Sequence, residues 1–348
     1  MTDLDRLVRD ALPGNPSNLR EDRYRGDAFD LGSEELAPGE QAALARIYAD
    51  IQEVYRCWLE VRDLPLSERQ PLLRKVIALD DPSIRNAADS LGSSVRRPRS
   101  SRVTRILHDV RGGALTALLA NAQLLRDEHD PVKLRSAALL ARDHAKMMRN
   151  ALPWIDPAGR ALDEQDRPHR IDDLVGKWSD FRFPGPGGTE GQVHVEGLRT
   201  GLLAARCLEA SAVDRVLYNL MNNAIRFAAG PDVRLAIHRN GSPLVRWIVA
   251  NEVSDEQAGW IREQTGDEPS RLMLGGVTRG GSGIGLANCV DFIVSAFGLP
   301  DVEAAIEGGH TGTLLAEGYF VAWFHWPALD GDAADHPNHS GDSHACPS

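Results

Sequence analysis

The chain has 348 residues, 42% of them hydrophobic and 26% charged, and 39 Lys plus Arg against 50 Asp plus Glu give a formal net charge of −11. This length leaves room for two or three domains with sizeable cores, and the acidic balance argues against a nucleic-acid binder, which needs a basic face. The opening MTDLDRLVRDAL lacks an apolar signal core and no run of about 18 apolar residues offers a membrane span, so no direct membrane span and a cytoplasmic location are expected. Cys57, Cys207, Cys289 and Cys346 are far apart and form no CxxC, which fits a reducing compartment and points to neither a disulfide framework nor a zinc knuckle.

Residues 1–38 are rich in Gly, Pro, Asp and Arg without sustained periodicity and read as an irregular segment. In 39–93 a helical module is expected. Leu44, Ile47, Ile51, Val54 and Trp58 recur three and four apart along a helix ending near Arg62, Ser67 reads as the N-cap of a second helix, and Pro82 opens a third running to Leu91. Its role, whether sensor or docking platform, is not written in the sequence. The basic run Arg96–Arg105, which contains Pro98 and serines, reads as a solvated lead-in rather than a nucleic-acid patch.

Residues 100–152 carry two heptad-patterned helices. Val103, Leu107, Val110, Ala114, Ala117, Asn121 and Leu124 mark the first, and Leu134, Ala138, Ala141, Ala145, Met148 and Leu152 the second, with a turn at Glu128–Pro131 between them. One hairpin cannot bury its stripe alone, so a homodimer through residues 100–152, forming a dimeric four-helix bundle, is expected. His108 stands one residue off the seam, next to Asp109, and Gly112 and Gly113 mark a bend below it. After the breaks at Pro153 and Pro157 a short helix is expected in Ile171–Phe181. The pattern then turns α+β over 190–328: strands QVHVEG and ARCLEA, a helix Val213–Ala228, a hairpin DVRLAIHRN/PLVRWIVAN turning at Gly241, helices Ser254–Gln264 and Ile284–Phe297, and a closing hairpin from AAIEGGH to GYFVAWFHWP. The tail 329–348 is polar and expected to be disordered, with His336, His339, His344 and Cys346 solvated rather than metal-bound.

Three short stretches carry the chemistry. Along VDRVLYNLMNNAIRFA, Val213, Val216, Leu217, Leu220, Met221, Ala224 and Ile225 form an apolar stripe, while Asn219 and Asn223, four apart, share one face just before Arg226. This resembles the N-box of the GHKL ATPase family (histidine kinases, gyrase-type and Hsp90-type ATPases). The resemblance implies that Asn219, Asn223 and Arg226 hold ATP phosphates and that Asn223 binds Mg2+, a hard ion suited to an amide oxygen. In LHDVRGGALTALL the sequence resembles the H-box of histidine kinase dimerisation domains, of the variant reading H-D-x-x-x-x-x-L-T, which implies a phosphoacceptor at His108 and a tautomer-fixing carboxylate at Asp109. The positions that bear phosphatase side chains in this family are Gly112 and Gly113 here, and neither glycine can position a water with a side chain, which leaves phosphatase activity open. GGSGIGLAN, with Gly281, Gly283 and Gly285 opening a helix, resembles the G2-box, where backbone N–H groups and a helix N-terminus receive phosphates; residues 265–280 would be the ATP lid. At the G1-box the family's D-x-G-x-G is replaced by Asn251-Glu252-Val253-Ser254-Asp255; on register Asn251 is the preferred acceptor for the adenine amino group, without a carboxylate's charge, and Glu252 and Asp255 are the alternative substitutes.

The resemblance covers about residues 100–328. It implies an all-α module, an α-hairpin and a two-layer α+β sandwich of the GHKL (Bergerat) type. The activity implied is that of a cytosolic histidine kinase, with ATP and Mg2+ as cofactors and the receiver domain of a response regulator as partner. The alternative expectation is a pseudokinase or phosphotransfer adaptor with a vestigial ATP site, acting as a dimeric scaffold. An anti-sigma-type serine kinase shares the ATPase fold but not the His-bearing hairpin.

Overall fold

The computed structural model of the chain describes residues 12–14, 16, 24, 26, 30–91, 100–127, 129–179, 181–239, 243–277, 279 and 283–329. The expectations for the tail beyond Leu329, for residues 96–99 of the basic run, for the turn at Gly241 and for Gly281 lie outside the described residues. Two compact units emerge, one built on Gly26–Asp166 with Arg206–Arg215, the other on Arg167–Ala205 with Val216–His339 and the N-terminal segment. Among the described residues no helix is long and apolar enough to cross a membrane.

The first unit is helical: α1 (Pro38–Val61), α2 (Gln70–Ala78), α3 (Pro82–Ser90), α4 (Ser101–Arg111), α5 (Gly113–Asp127), α6 (Pro131–Ala151) and α7 (Pro157–Asp163). The expected seam of α1 is buried throughout, with Leu44, Ile47 and Ile51 at 0% exposure. Ser67 is not a cap. Leu66–Glu68 form a 3-10 turn and α2 starts at Gln70, because Pro71, lacking an N–H, is accommodated in a first helical turn. Asp81 and Asp130 cap α3 and α6, their carboxylates accepting from Ser83 N at 2.7 Å and Val132 N at 2.8 Å.

The first helix of the hairpin is two helices. Gly112 (φ −93°, ψ −145°) interrupts it, its N–H closing onto the His108 carbonyl at 2.9 Å. Val103, Leu107 and Val110 are buried as expected, and beyond the break so are Ala114 and Asn121, but Leu115, Leu118, Ala122 and Leu125 join them, whereas Ala117 is half-buried and Leu124 exposed. On α6 every expected stripe residue, from Leu134 to Leu152, is buried. The cover comes from the same chain: α1 lies along α6, α6 along α5, α5 against α2, and α2 against α1, closing a ring of four packed helices. The apolar stripe expected to require a second copy is thus buried within one chain. A paired Arg149 and Asp163, both buried, fasten α7 to α6 with contacts of 2.6 and 2.7 Å.

The second unit contains β1 (Asp166–Arg170), α8 (Ile171–Val175), β2 (Arg182–Pro184), β3 (Glu190–Gly197), β4 (Leu202–Arg206), most of α9 (Cys207–Phe227), β5 (Asp232–His238), β6 (Leu244–Glu252), α10 (Asp255–Thr265), α11 (Gly285–Phe297), α12 (Val302–Glu307), β7 (Thr311–Ala316) and β8 (Tyr319–Pro327). A six-stranded mixed sheet runs β2-β3-β5-β6-β8-β7, parallel only between β3 and β5; β1 and β4 pair separately. Two expectations are corrected. In ARCLEA the strand stops at Arg206 and the helix begins at Cys207, helix-forming Leu208, Glu209 and Ala210 making its first turns. The stretch Ala304–His310 is not a strand: Asp301 caps α12 by accepting from Ala304 N at 2.8 Å, and the pairing strand is β7.

Strand alternation sorts the sheet into two apolar faces. Val245, Trp247 and Val249 of β6 lie level with Trp326, Phe324 and Ala322 of β8, the Trp247 and Phe324 rings stacked at 6.0 Å. Tyr24 joins Trp326 to Phe292 of α11 on this face. On the other, Ile248, Ala250, Val321 and Trp323 cluster with Leu12, so parts of the irregular N-terminal segment are packed into the core.

His144 of α6 is fully buried, the Val110 carbonyl beside it, and burial pushes its pKa from the ordinary 6.5 down to about 3. Because the folded value is depressed, the unfolded chain binds the extra proton between those limits. The neutral imidazole's contribution is therefore fully present above pH 6.5 and is lost as pH falls toward 3. Urea midpoints of wild type and His144→Met are expected to draw together as pH is lowered from 7 to 5, wild type losing more; parallel losses would show that His144 does not carry this dependence.

Candidate functional site

The helix α9 has the expected apolar stripe, with Val213, Val216, Leu217, Leu220, Met221 and Ala224 buried and Ile225 half-buried. Asn219 is also buried. Asn223 is half-buried, and among the described residues no hydrogen bond engages its amide; Arg226 is exposed with its guanidinium over the Phe227 ring at 5.3 Å.

Within the second unit the structure brings the ends of other elements onto this helix. Ala229 N–H, just past α9, donates to the Glu252 carbonyl at 2.8 Å, and the Asn251 amide nitrogen donates to the same oxygen at 2.9 Å. The end of β6 is thereby tied to the end of α9. Asn251 is 2% exposed; with its nitrogen committed, its Oδ1 remains as an acceptor, on the same strand face as Trp247 and Val249. Glu252, the neighbouring carboxylate, is exposed and accepts from Tyr319 Oη at 3.2 Å, so Asn251 rather than Glu252 faces the helix layer. The start of α11 comes to α9 from another side, Cys289 Sγ lying 3.7 Å from the Val216 carbonyl and 3.3 Å from that of Gly285. Gly283 precedes this helix with φ +69°, a left-handed conformation that favours glycine, and its carbonyl accepts from Gly276 N at 3.3 Å.

The segment 265–280 is packed rather than open. Pro269–Leu274 form a 3-10 turn whose Met273 is fully buried with Val290 and Ala305, and Ser270 Oγ donates to the Thr313 carbonyl at 3.1 Å while accepting from Thr313 N at 3.0 Å. Arg279 donates to Gln257 Oε1 at 2.8 Å and pairs with Glu256, fastening the approach to the Gly-rich loop onto α10.

In the helical unit His108 sits in the last turn of α4, its side chain 28% exposed. The two ring nitrogens differ. Nδ1 is buried and 3.7 Å from Asp109 Oδ1; Nε2 is on the accessible side of the ring. Asp109 is itself buried, and its Oδ2 accepts from Arg215 Nη2 at 2.7 Å and Nε at 3.2 Å. Sequence reasoning passed over Arg215. Its spacing, four before Asn219 and eight before Asn223, places it on their face of α9 and was the available signal.

No protein-family model matches the chain, and no curated protein matches it. Among solved structures, the mycobacterial sensor histidine kinase MprB aligns over 47% of this chain and 98% of its own with 13% identity and a TM-score of 0.28. ShkA, full-length in complex with AMPPNP, aligns over 75% of this chain and 47% of its own with 17% identity and a TM-score of 0.31, so the chain spans about half of that protein. The Acinetobacter baumannii histidine kinase AdeS aligns over 62% and 95% with 11% identity and a TM-score of 0.25. At these TM-scores the likeness carries no argument about activity, which rests on the chain's own residues.

Replacing Arg215 by Met leaves a buried carboxylate unpaired and is expected to cost about 3–5 kcal/mol of stability. Adding Asp109→Asn should recover much of it in urea unfolding; no recovery would mean the pair is not coupled.

Proposed function

We propose that the chain is an ATP-dependent protein histidine kinase of a two-component system, phosphorylated on His108 and passing the phosphoryl group to an aspartate of a response regulator receiver domain. The observation that carries this reading is the convergence on α9. The half-buried Asn223 amide, the Asn251 oxygen on a strand tied to the helix's end, and the glycine-led N-terminus of α11 are the groups that this reading assigns to a magnesium nucleotide. Asn223 would contribute an oxygen to Mg2+. Arg226, with Asn219 and backbone N–H groups around Gly281, Gly283 and Gly285, would receive phosphate oxygens. Asn251 Oδ1 would accept from the adenine amino group. At the histidine, Nε2 supplies the lone pair that forms the N–P bond as the bond from phosphorus to the ADP oxygen breaks. Asp109, whose Oδ1 lies 3.7 Å from Nδ1, would close on Nδ1–H as positive charge develops on the ring and would offset that charge.

A second reading, the phosphotransfer adaptor with a vestigial ATP site, draws on one observation. Asn251 offers a neutral acceptor where the resemblance implies a carboxylate, and a hydrogen bond to an ionised acceptor is roughly twice as strong. Calorimetry of Mg·ATP on the full chain, with radiolabelled autophosphorylation of the same sample, separates the two. Binding with acid-labile label supports the kinase; absence of binding at millimolar ATP supports the adaptor.

His108→Gln is expected to abolish acid-labile label, and label that persists would remove His108 from its role. Asn223→Ala is expected to abolish Mg-dependent nucleotide binding, with unchanged affinity sinking the assignment. Asn251→Leu, which removes the acceptor, is expected to weaken nucleotide binding about tenfold, the equivalent of roughly 1.4 kcal/mol; unchanged affinity would place the adenine elsewhere.

A further inference from the structure

We infer that Arg215 is a positioning residue for His108, acting through Asp109; this rests on the proposed phosphoacceptor role. Two Arg215 N–H groups converge on Asp109 Oδ2, at 2.7 and 3.2 Å. That oxygen is therefore committed, and the carboxylate turns Oδ1 toward His108 Nδ1, 3.7 Å away. Both partners of the pair are buried, which sets the guanidinium and the carboxylate against each other away from water. Nδ1 is buried with no hydrogen-bond partner, and Oδ1 is the acceptor facing it. A proton placed on Nδ1 is stabilised there, which leaves Nε2, on the accessible side, as the bare and nucleophilic nitrogen. A guanidinium does this better than an ammonium, because its planar fork fixes the carboxylate's rotation as well as its charge.

The test is the tautomer of His108, read from nitrogen-15 shifts of histidine-labelled full-length chain at a pH where the ring is neutral, with the signal assigned by its loss in His108→Gln. Wild type is expected to show Nδ1–H and a bare Nε2. Arg215→Lys should retain part of that preference. Arg215→Gln, uncharged but still able to donate one hydrogen bond, should revert toward the Nε2–H form that free imidazole side chains favour. The buried His144 signal reports whether local packing survives, a readout that a purely structural role would move instead. An Nε2–H tautomer in wild type overturns the inference without any variant, and so does an unaltered tautomer in a folded Arg215→Gln. The kinase reading fails separately: a wild type with the expected tautomer that takes no label from ATP retains the clamp and loses the kinase.

Discussion

The helical unit is organised by the need to bury α6. Almost no residue between Ala137 and Leu152 reaches solvent, polar Asp143, His144, Arg149 and Asn150 included. An apolar stripe on an otherwise amphipathic helix can be satisfied from one side, but a helix buried nearly all round needs neighbours on each. The chain supplies them as α5, α1 and α7, and each buried polar side chain is then a separate electrostatic problem. Arg149 is answered by Asp163, Asp143 by Arg142 at 2.8 Å, and His144 by giving up its charge.

The same economy governs α9. Its apolar side holds the core of the second unit, and its polar positions recur at intervals of four. Arg215 meets a carboxylate, whereas the Asn223 amide has no hydrogen-bond partner among the described residues. A buried cation demands an anion in the fold itself, while a half-exposed amide can wait in water for a ligand at little cost. That difference in desolvation separates a residue that organises the protein from one that can serve a substrate.

Much of this was legible in the sequence where periodicity and burial agree. The seams of α1 and α6 and the stripe of α9 could be read directly, because a helix packed on one apolar layer writes its period into the chain. The stripe of α5 could be read only in part: Ala114 and Asn121 are buried as expected, but Leu118, Ala122 and Leu125 join them and Leu124 is exposed, since Gly112 breaks the helix just before it. The strand expected at Ala304–His310 gave way to a helix because one side chain, Asp301, decides how that segment begins. The partner of Asp109 lies 106 residues away, and only the folded chain pairs the two. That α1 and α2 pack on the hairpin could not be read from periodicity, which shows that a stripe is covered but not by which segment.

One oxygen atom at the end of β6 has a consequence of its own. The Glu252 carbonyl receives two donors, one from the backbone past α9 and one from the Asn251 amide, and with both lone pairs engaged it holds that amide in a single orientation. An asparagine free to turn over would greet a donor or an acceptor equally. Held in this way it shows only oxygen, so that end of the site has one electrical sign. Under the proposed nucleotide role, such an oxygen would favour the amino edge of adenine over the carbonyl edge of guanine, a filter between purines built from a neutral side chain.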